Sequence, residues 1–398
     1  MTTAIRCVHG ALVALTVVAL MAGYPAAQTP VSAPAAISEQ DLTAAINTLG
    51  AFDFPTRMAA SRTVRRATAA QAVPALTAAA RTHTDSYVRY RALVLLAGFD
   101  DPATPDVMQS LMADRNDRLR AVAYAWFAHH PSAAVVPALI AALPRELSEF
   151  VRPSLTRALA AQAGDARAQA ALLPLVMSGE DFFRGEVIQA AGDFRVTAAR
   201  DAIISVAKLD GSLQDDAVLT LGKLGENASL AVLAQLQRTV ARERQPAIVA
   251  AICMLGVNCE AQRKYLRETL LYAGDTAGFQ VLLRATARAI GALAGRGDQA
   301  ALATLWDVGI PAAAASRAPV ALALGAAAVR APSALLRALG DYKDQAAAIE
   351  LLRDAFDMLE EDFEEELFYV DVRRAYWASA EGSPERRVAE AVIQRLEF

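Results

Sequence analysis

An apolar pattern recurs along the chain at intervals of about 32 residues. The segment Ala72–Leu76 (Ala-Val-Pro-Ala-Leu) returns as Val135–Leu139 (Val-Val-Pro-Ala-Leu). Pro105 lies between them, so that successive prolines are 31 and 32 residues apart. The register continues inside apolar segments at Gln169, Asp201, Ala231 and Tyr265. So many marks in one register indicate an internal repeat.

Each of the better-defined repeats contains a second mark, an apolar residue followed by arginine. These arginines are Arg89, Arg120, Arg152 and Arg184. Small or apolar residues follow the mark about four and eight positions later, and the run often ends in glycine, as at Gly98, Gly222 and Gly256. This spacing predicts a helix that stops at the glycine, so each repeat is expected to hold two short helices. One hairpin cannot bury its own apolar face, and the hairpins must therefore stack into a solenoid.

Composition supports an all-α fold. The chain is 55% hydrophobic but only 6% aromatic, and alanine is its commonest residue. Alanine favours helices, whereas sheets are built from β-branched and aromatic residues. The apolar content and the net charge of -4 exclude a disordered chain and give no support to a chain-wide nucleic-acid-binding surface. We predict a right-handed α-solenoid, an α-α superhelix of stacked helical hairpins with helical caps.

The repeat resembles the HEAT family. Its form is apolar-Arg-x-x-Ala-x-x-x-Leu, often followed by Gly, and then Ala-Val-Pro-Ala-Leu-x-x-Ala-Leu. The resemblance extends over residues 55–340 and is strongest at residues 72–260. It is greatest to the short HEAT-like repeats that are also found in phycobilisome lyases. It implies a superhelix whose second helices line a concave surface that binds partners.

The resemblance also implies a role for the repeat arginines. In HEAT repeats this arginine usually bonds an acidic residue in the preceding turn between helices. Asp114 lies six residues before Arg120, and Glu146 lies six residues before Arg152, whereas the other two repeats carry no acid there. We therefore interpret the four arginines named above as a structural ladder rather than as a ligand-binding stripe.

In this register, the residues two, three and six positions after the apolar mark face the concave groove. They include Tyr90, Arg91, Arg157, Glu186, Gln189, Asp215 and Asp216. Their charges are mixed and do not identify a ligand. We expect a protein or peptide partner on this face, and no nucleic acid.

The first residues have the pattern of an export signal. An apolar run of 13 residues, Ala11–Gly23, follows the single charge of Arg6. The run is too short to cross a membrane, which takes about 20 residues, but it suits the core of a signal peptide. We expect cleavage near Ala27, with Ala35 as second choice, and a mature protein of the periplasm or extracellular space without a membrane span. A buried N-terminal helix is the alternative.

The predicted organisation is a signal peptide (1–27), a linker (28–37), a HEAT-like solenoid of about nine hairpins (38–340) and an acidic helical cap (341–398). The cap carries 7 basic and 16 acidic residues, a net charge of -9. Residues 54–99, in contrast, carry seven arginines and one aspartate, a net charge of +6. We interpret the acidic run as a solvated cap, with a docking patch for a basic partner as the alternative.

Two cysteines follow the predicted signal peptide, Cys253 and Cys259. An even pair in an oxidising compartment, separated by a helix end and a turn, predicts a local disulfide. Buried free thiols and part of a metal site are the alternatives.

Catalytic signatures are scarce in the sequence. It holds no phosphate-binding Gly-x-x-x-x-Gly-Lys, no His-Glu-x-x-His and no Gly-x-Ser-x-Gly. Ser205 and Lys208 match Ser-x-x-Lys without its companion motifs, and the pair His129-His130 is better explained by capping of a helix C-terminus. We predict a non-enzymatic scaffold or adaptor with no cofactor and no metal. The alternative is a regulatory or accessory subunit of an envelope complex, or a lyase- or glycosylase-like enzyme on the same scaffold.

Overall fold

The computed structural model describes residues 33–359 and 362–398. These residues form 22 α-helices and four short 3-10 helices, and they contain no β-strand. In chain order the α-helices are α1 (Glu39–Thr48), α2 (Phe54–Arg66), α3 (Ala69–Thr82), α4 (Ser86–Ala97), α5 (Thr104–Leu111), α6 (Asp117–His129), α7 (Val136–Ala142), α8 (Arg152–Ala161), α9 (Ala166–Leu172), α10 (Asp181–Asp193), α11 (Arg200–Ala207), α12 (Gln214–Leu224), α13 (Leu230–Thr239), α14 (Gln245–Met254), α15 (Cys259–Asp275), α16 (Gln280–Ala294), α17 (Gln299–Gly309), α18 (Ala314–Arg330), α19 (Pro332–Asp341), α20 (Gln345–Phe356), α21 (Asp362–Ala378) and α22 (Pro384–Leu396).

Consecutive helices pair into hairpins that stack. The even-numbered helices α4 to α20 form a continuous inner row in which each packs against the next. The odd-numbered helices lie along its outer side, as α3 does against α4 and α15 against α16. A single apolar core runs between the two rows through the described residues. The predicted all-α solenoid is confirmed.

The array extends beyond its predicted end at residue 340. Nine hairpins, α1–α2 to α17–α18, precede residue 331. A tenth, α19–α20, continues the inner row because α20 buries Ala348, Leu351, Leu352 and Ala355 next to α18. The dense acidic run begins only at Asp357, after the end of α20. The end of the array is therefore set by burial and not by the change in charge.

Short polar residues fix where many helices begin. The side chains of Asp53, Asp85 and Asn116 accept hydrogen bonds from backbone N–H groups in the first turns of α2, α4 and α6. Ser38 accepts one from the N–H of Asp41 at the start of α1. Such caps satisfy amides that a helix leaves unpaired. They therefore fix the first residue of each of these four helices.

Inner helices approach most closely where small residues meet. A Cβ atom added at Gly222 of α12 would lie 2.6 Å from the Cα of Ala251 in α14. One added at Gly291 of α16 would lie 3.0 Å from the carbonyl oxygen of Ala323 in α18. The opposing atoms belong to the backbone and cannot rotate away. Alanine and glycine at these contacts are thus what permit the tight spacing of the inner row.

We expect Gly222→Ala to lower the free energy of unfolding by about 1–3 kcal/mol, because the new methyl group forces α12 and α14 apart. The matched control is Gly274→Ala in α15, where an added Cβ atom would lie 3.8 Å from the side chain of Ser316, an ordinary van der Waals contact. That change should be neutral, or stabilise the helix by roughly 0.5–1 kcal/mol. Urea unfolding of both variants measures the difference, and equal stabilities would contradict the role assigned to Gly222.

The predicted signal peptide, residues 1–27, lies outside the described residues. The described part of the predicted linker, residues 33–37, is tied to the array. The N–H of Ala35 donates to the carbonyl oxygen of Arg66 at 2.9 Å, and the N–H of Ile37 donates to Oε1 of Gln71 at 3.2 Å. The second predicted cleavage position, Ala35, therefore lies in a hydrogen-bonded segment.

Within residues 33–359 and 362–398, no single helix is long and apolar enough to cross a membrane. The pair α18 and α19 meets the criterion of length and composition only when taken together, and its two helices are bent by 119°. Both contribute buried residues to the core, among them Val320, Leu324 and Leu335.

Candidate functional site

Helix α21 closes the array on itself. It packs against α18 near the end of the inner row and against α4 near its beginning. Nε of Arg65 donates to Oε1 of Glu366 at 2.9 Å, and Nη2 of Arg65 lies 2.5 Å from Oε2, which joins residues 301 positions apart. The two side chains are only 5% and 2% exposed. The concave side is therefore bounded by a closed ring of helices.

Further polar contacts join the acidic C-terminal segment to the basic first repeats. They are Tyr90 to Asp362 (2.7 Å), Arg91 to Asp362 (3.1 Å), Asp100 to Arg374 (2.8 Å) and Arg62 to the carbonyl oxygen of Glu397 (2.8 Å). The acidic run is thus not simply a solvated cap, because a basic surface of the same chain binds part of it. The opposite charges of the two ends stabilise this closure.

Two adjacent histidines at the end of α6 have different roles. Nε2 of His129 lies 3.0 Å from Oε1 of Glu364 in α21. Burial opposes the ionisation of Glu364, but His129, together with Arg157 and Arg330, outweighs it and lowers the pKa of that carboxyl. His130 stacks on Trp126, with ring centroids 4.0 Å apart, and its Nδ1 lies 3.0 Å from the Trp126 carbonyl oxygen. One imidazole therefore bonds α21, and the other caps α6.

The ring encloses a cavity of about 800 Å³. Its lining comes from the inner helices α6, α8, α10, α12, α16 and α18, together with Met358 and Glu364. Arg284 and Arg288 of α16 form a cationic wall together with Arg296, which lies in the turn after the helix. Helix α18 contributes an apolar wall, with Ala318, Pro319, Leu322, Ala323, Ala326 and Val329. A smaller cavity of about 260 Å³, also lined by Arg157, Val329, Arg330 and Glu364, adjoins it toward α4.

Asp193 holds a cluster of cations at the wall of the larger cavity. Its carboxylate oxygens lie 2.6 Å from Nζ of Lys223, 2.9 Å from Nη1 of Arg157 and 3.9 Å from Nε of Arg330. Burial opposes the ionisation of Asp193, but the three cations outweigh it and hold the pKa of its carboxyl well below the usual range. This one anion therefore joins α8, α10, α12 and α18 across the ring.

The predicted groove residues divide into two groups. Those that line the cavities are Tyr90, Arg157, Glu186, Gln189 and Asp216. Arg91 and Asp215 do not line them and form ion pairs with Asp362 and Arg244, each at 3.1 Å. Burial raises the pKa of the Asp215 carboxyl, although Arg244 acts in the opposite direction. Contacts within the chain therefore occupy part of the surface that the register assigns to a partner.

The cationic wall on α16 is absent from the sequence prediction. The repeat register loosens after Tyr265, and the glycine mark at Ala294-Gly295 is followed only at irregular spacing, so no groove residues are assigned to α16. A signal is present nonetheless, because Arg284 and Arg288 are four residues apart and so share one face of the helix. Arg288 bonds Asp216 of α12 across the ring, where burial raises the pKa of the Asp216 carboxyl against the effect of Arg288.

The first two repeat arginines connect neighbouring repeats. Nη2 of Arg89 lies 2.5 Å from Oδ2 of Asp114, and Nε of Arg120 lies 2.7 Å from Oε2 of Glu146. Asp114 and Glu146 each lie in the turn between the two helices of the next hairpin. Each arginine therefore pairs with an acid of the next hairpin, whereas the HEAT resemblance implies an acid in the turn of its own hairpin. Toward the preceding turn, Arg120 donates to the carbonyl oxygen of Asp114 at 2.9 Å. The side chain of Asp114 is already bound by Arg89, and this explains the difference.

Among the described residues, the other two repeat arginines, Arg152 and Arg184, form no ion pair with an acid of the next hairpin. The guanidinium of Arg152 lies over the ring of Phe183, 3.8 Å from its centroid, while Glu146 is bound to Arg120. Arg184 donates to the carbonyl oxygen of Val176 at 3.1 Å and to Asp181 at 3.0 Å. The ladder thus continues as packing and turn contacts where the acid is missing or already bound.

The sulfur atoms of Cys253 and Cys259 lie within disulfide-bonding distance, and their Cα atoms are 4.4 Å apart. A carboxylate oxygen of Asp298 lies near both sulfurs. That carboxylate accepts hydrogen bonds from Nε of Arg263 at 2.8 Å and from the N–H of Ala301 at 3.0 Å. Its position is thus explained by an ion pair and by capping of α17.

Residues 42–126, which include most of α1 to α6, match the family model of HEAT repeats. The sequence matches no curated protein. Among solved structures, E. coli YibA is 16% identical over 56% of this chain and 83% of its own, with a TM-score of 0.41. The complex of CpcE and CpcF of phycocyanin lyase from a Nostoc species is 20% identical over 65% of this chain and 98% of its own, with a TM-score of 0.40. At such identities and TM-scores these likenesses say nothing about activity. The chain is thus an all-α solenoid of stacked helical hairpins in which residues 42–126 match HEAT repeats.

Proposed function

We propose that this protein is a non-enzymatic, exported scaffold or adaptor that binds a segment of a partner protein within its ring of HEAT-like hairpins. The observation that carries the proposal is the cavity of about 800 Å³ on the concave side, which inner helices from six hairpins line together. Export rests on the apolar run Ala11–Gly23.

The size of the cavity favours a segment over a folded domain. Pockets that enclose a ligand usually measure about 300–1,000 Å³, and this cavity falls within that range. An apolar wall on one side and charged groups on the other suit a polypeptide segment with one apolar and one polar face, as in helix-in-groove recognition. A globular partner would contact only the rim.

The chemistry of the lining supports binding rather than catalysis. Its basic side chains are five arginines, Lys223 and His129, and arginine is poorly suited to proton transfer because its guanidinium stays protonated in proteins. Lys223 is held by Asp193, and His129 by Glu364. These ion pairs fix the charged side chains in position, which suits a recognition surface.

Site-specific photo-crosslinking in the native cells tests this proposal. A benzoylphenylalanine at Leu322, which is 47% exposed and lines the cavity, should crosslink to one contiguous segment of a single partner. The control is the same group at Tyr265 on α15, which is 38% exposed and lines neither cavity. Mass spectrometry identifies the joined peptides. No crosslinked polypeptide from Leu322, or the same products from both positions, would refute the proposal.

A further inference from the structure

The cavity carries more positive than negative charge. Among its lining residues are six arginines and lysines and three acids, Asp193, Asp216 and Glu364. Each of these acids already bonds a basic side chain of the ring. The three acids are therefore already paired within the chain, whereas part of the cationic wall remains accessible to a ligand.

Two arginines, Arg284 of α16 and Arg296 of the turn that follows it, form the open part of that wall. Arg284 and Arg296 are exposed to solvent at the cavity and make no ion pair within residues 33–359 and 362–398. Arg296 donates only to the carbonyl oxygen of Lys223, at 3.2 Å. The cavity walls partly desolvate Arg296 and, with the neighbouring Arg195, lower the pKa of its guanidinium. A carboxylate placed here would relieve that repulsion and gain charge-assisted hydrogen bonds.

The apolar wall of α18 faces solvent in the same cavity. Leu322 is 47% exposed and Met358 is 38% exposed, although both are large apolar side chains. Smaller residues of α18, Ala318, Pro319 and Ala326, extend this surface along the helix. A ligand that covers both walls must therefore carry apolar groups beside its negative charges.

The chain itself shows which occupant this concave surface accepts. Helix α21 begins at the edge of both cavities, where Glu364 lines each of them. Its Asp362 and Glu366 pair with Arg91 and Arg65, while Phe363 and Phe368 are buried among the helices. An acidic helix with an aromatic face thus occupies the neighbouring part of the same surface.

We propose that the cavity binds an acidic, amphipathic polypeptide segment of the partner, with its carboxylates on Arg284 and Arg296 and its apolar side chains on α18. This inference rests on the proposed function and specifies the chemistry of the partner. The proposed binding mode is that of an amphipathic helix that binds in a groove, with charge complementarity between the two.

Two synthetic peptides test the charge preference. The first has the sequence of residues 362–372, Asp-Phe-Glu-Glu-Glu-Leu-Phe-Tyr-Val-Asp-Val, with an N-terminal fluorescein. The second replaces every aspartate by asparagine and every glutamate by glutamine. Fluorescence anisotropy should show the acidic peptide binding at least about tenfold more tightly, with the difference reduced at high salt because salt screens the charges. Equal affinities would overturn the inference.

Variants of the protein test where the peptide binds. Arg284→Glu combined with Arg296→Glu should weaken binding of the acidic peptide at least about tenfold. The matched control combines Arg238→Glu and Arg337→Glu, two exposed arginines on the outer helices α13 and α19 that line neither cavity. The control should change affinity less than twofold. If the first double variant melts early, Arg284→Gln with Arg296→Gln replaces it.

The outcomes separate this inference from the function on which it rests. If the acidic peptide binds the Arg284 and Arg296 double variant as tightly as the wild type, its binding site lies elsewhere, for example on the surface that α21 occupies. That result would overturn the inference. A crosslinked partner segment that is basic or neutral would also overturn it, while the function as a binding scaffold would stand. The absence of any crosslinked polypeptide refutes the function itself.

Discussion

Glu366→Ala should lower the free energy of unfolding by roughly 3–5 kcal/mol, because it leaves the guanidinium of Arg65 buried without its counter-charge. Arg65 is 8% exposed, and its Nη1 already has no hydrogen-bond partner among the described residues. The Glu366 carboxylate is therefore the one counter-charge that this buried guanidinium has at the closure. Urea unfolding measures the loss, and hydrogen exchange should show its first effect as faster exchange in α2, α4 and α21.

Two comparisons make the Glu366 result specific. Glu381→Ala removes an exposed glutamate from the turn before α22 and should change stability by less than about 0.5 kcal/mol. Arg65→Met combined with Glu366→Met should be more stable than Glu366→Ala alone, because it leaves no unpaired buried charge. A loss below about 1 kcal/mol for Glu366→Ala would mean that the pair does not hold the ring closed.

Asp193→Asn should lower the free energy of unfolding by roughly 3 kcal/mol or more at pH 7, because Lys223, Arg157 and Arg330 would then face one another without an anion. The effect should depend on pH. The folded state holds the pKa of Asp193 below its unfolded value of about 3.9. The stabilisation is therefore fully present above that unfolded value and is lost as the pH falls through the lower folded value.

The difference between wild type and Asp193→Asn should accordingly stay constant from about pH 8 to pH 5 and shrink toward pH 2. Urea unfolding at several pH values measures it. Asp275→Asn, at an exposed position at the end of α15, is the control and should track the wild type throughout. A difference that is as large at pH 2 as at pH 7 would show that Asp193 acts by shape rather than by charge.

The solenoid could be predicted because its causes are local. The recurring apolar mark fixes one helical face, and a hairpin with one such face has to stack on its neighbours. The same register placed Tyr90, Arg157 and Gln189 on the inside of the array, where they line the cavities. It assigned no groove residues to α16, because the spacing between marks becomes irregular after Tyr265.

The closure could not be derived from the repeat. It depends on the curvature that accumulates over ten hairpins, and a small change in each would keep Arg65 and Glu366 apart. The opposite charges of residues 54–99 and 341–398 were the one available signal, but charge alone does not distinguish an internal contact from a docking site for another protein. The pairing of Arg89 with Asp114 was missed for a similar reason, since an arginine can reach an acid on either side of it.

The bond between Arg65 and Glu366 also alters the order in which the chain can complete its fold. In an open repeat array, folding can start anywhere and spread between neighbours, and the ends fray freely. Here the surface that α4 presents to α21 stays uncovered until a segment some 270 residues later in the sequence reaches it. Contacts of such long range slow folding, since a long loop must close before they form. Once formed, they remove the free ends from which an open array unravels.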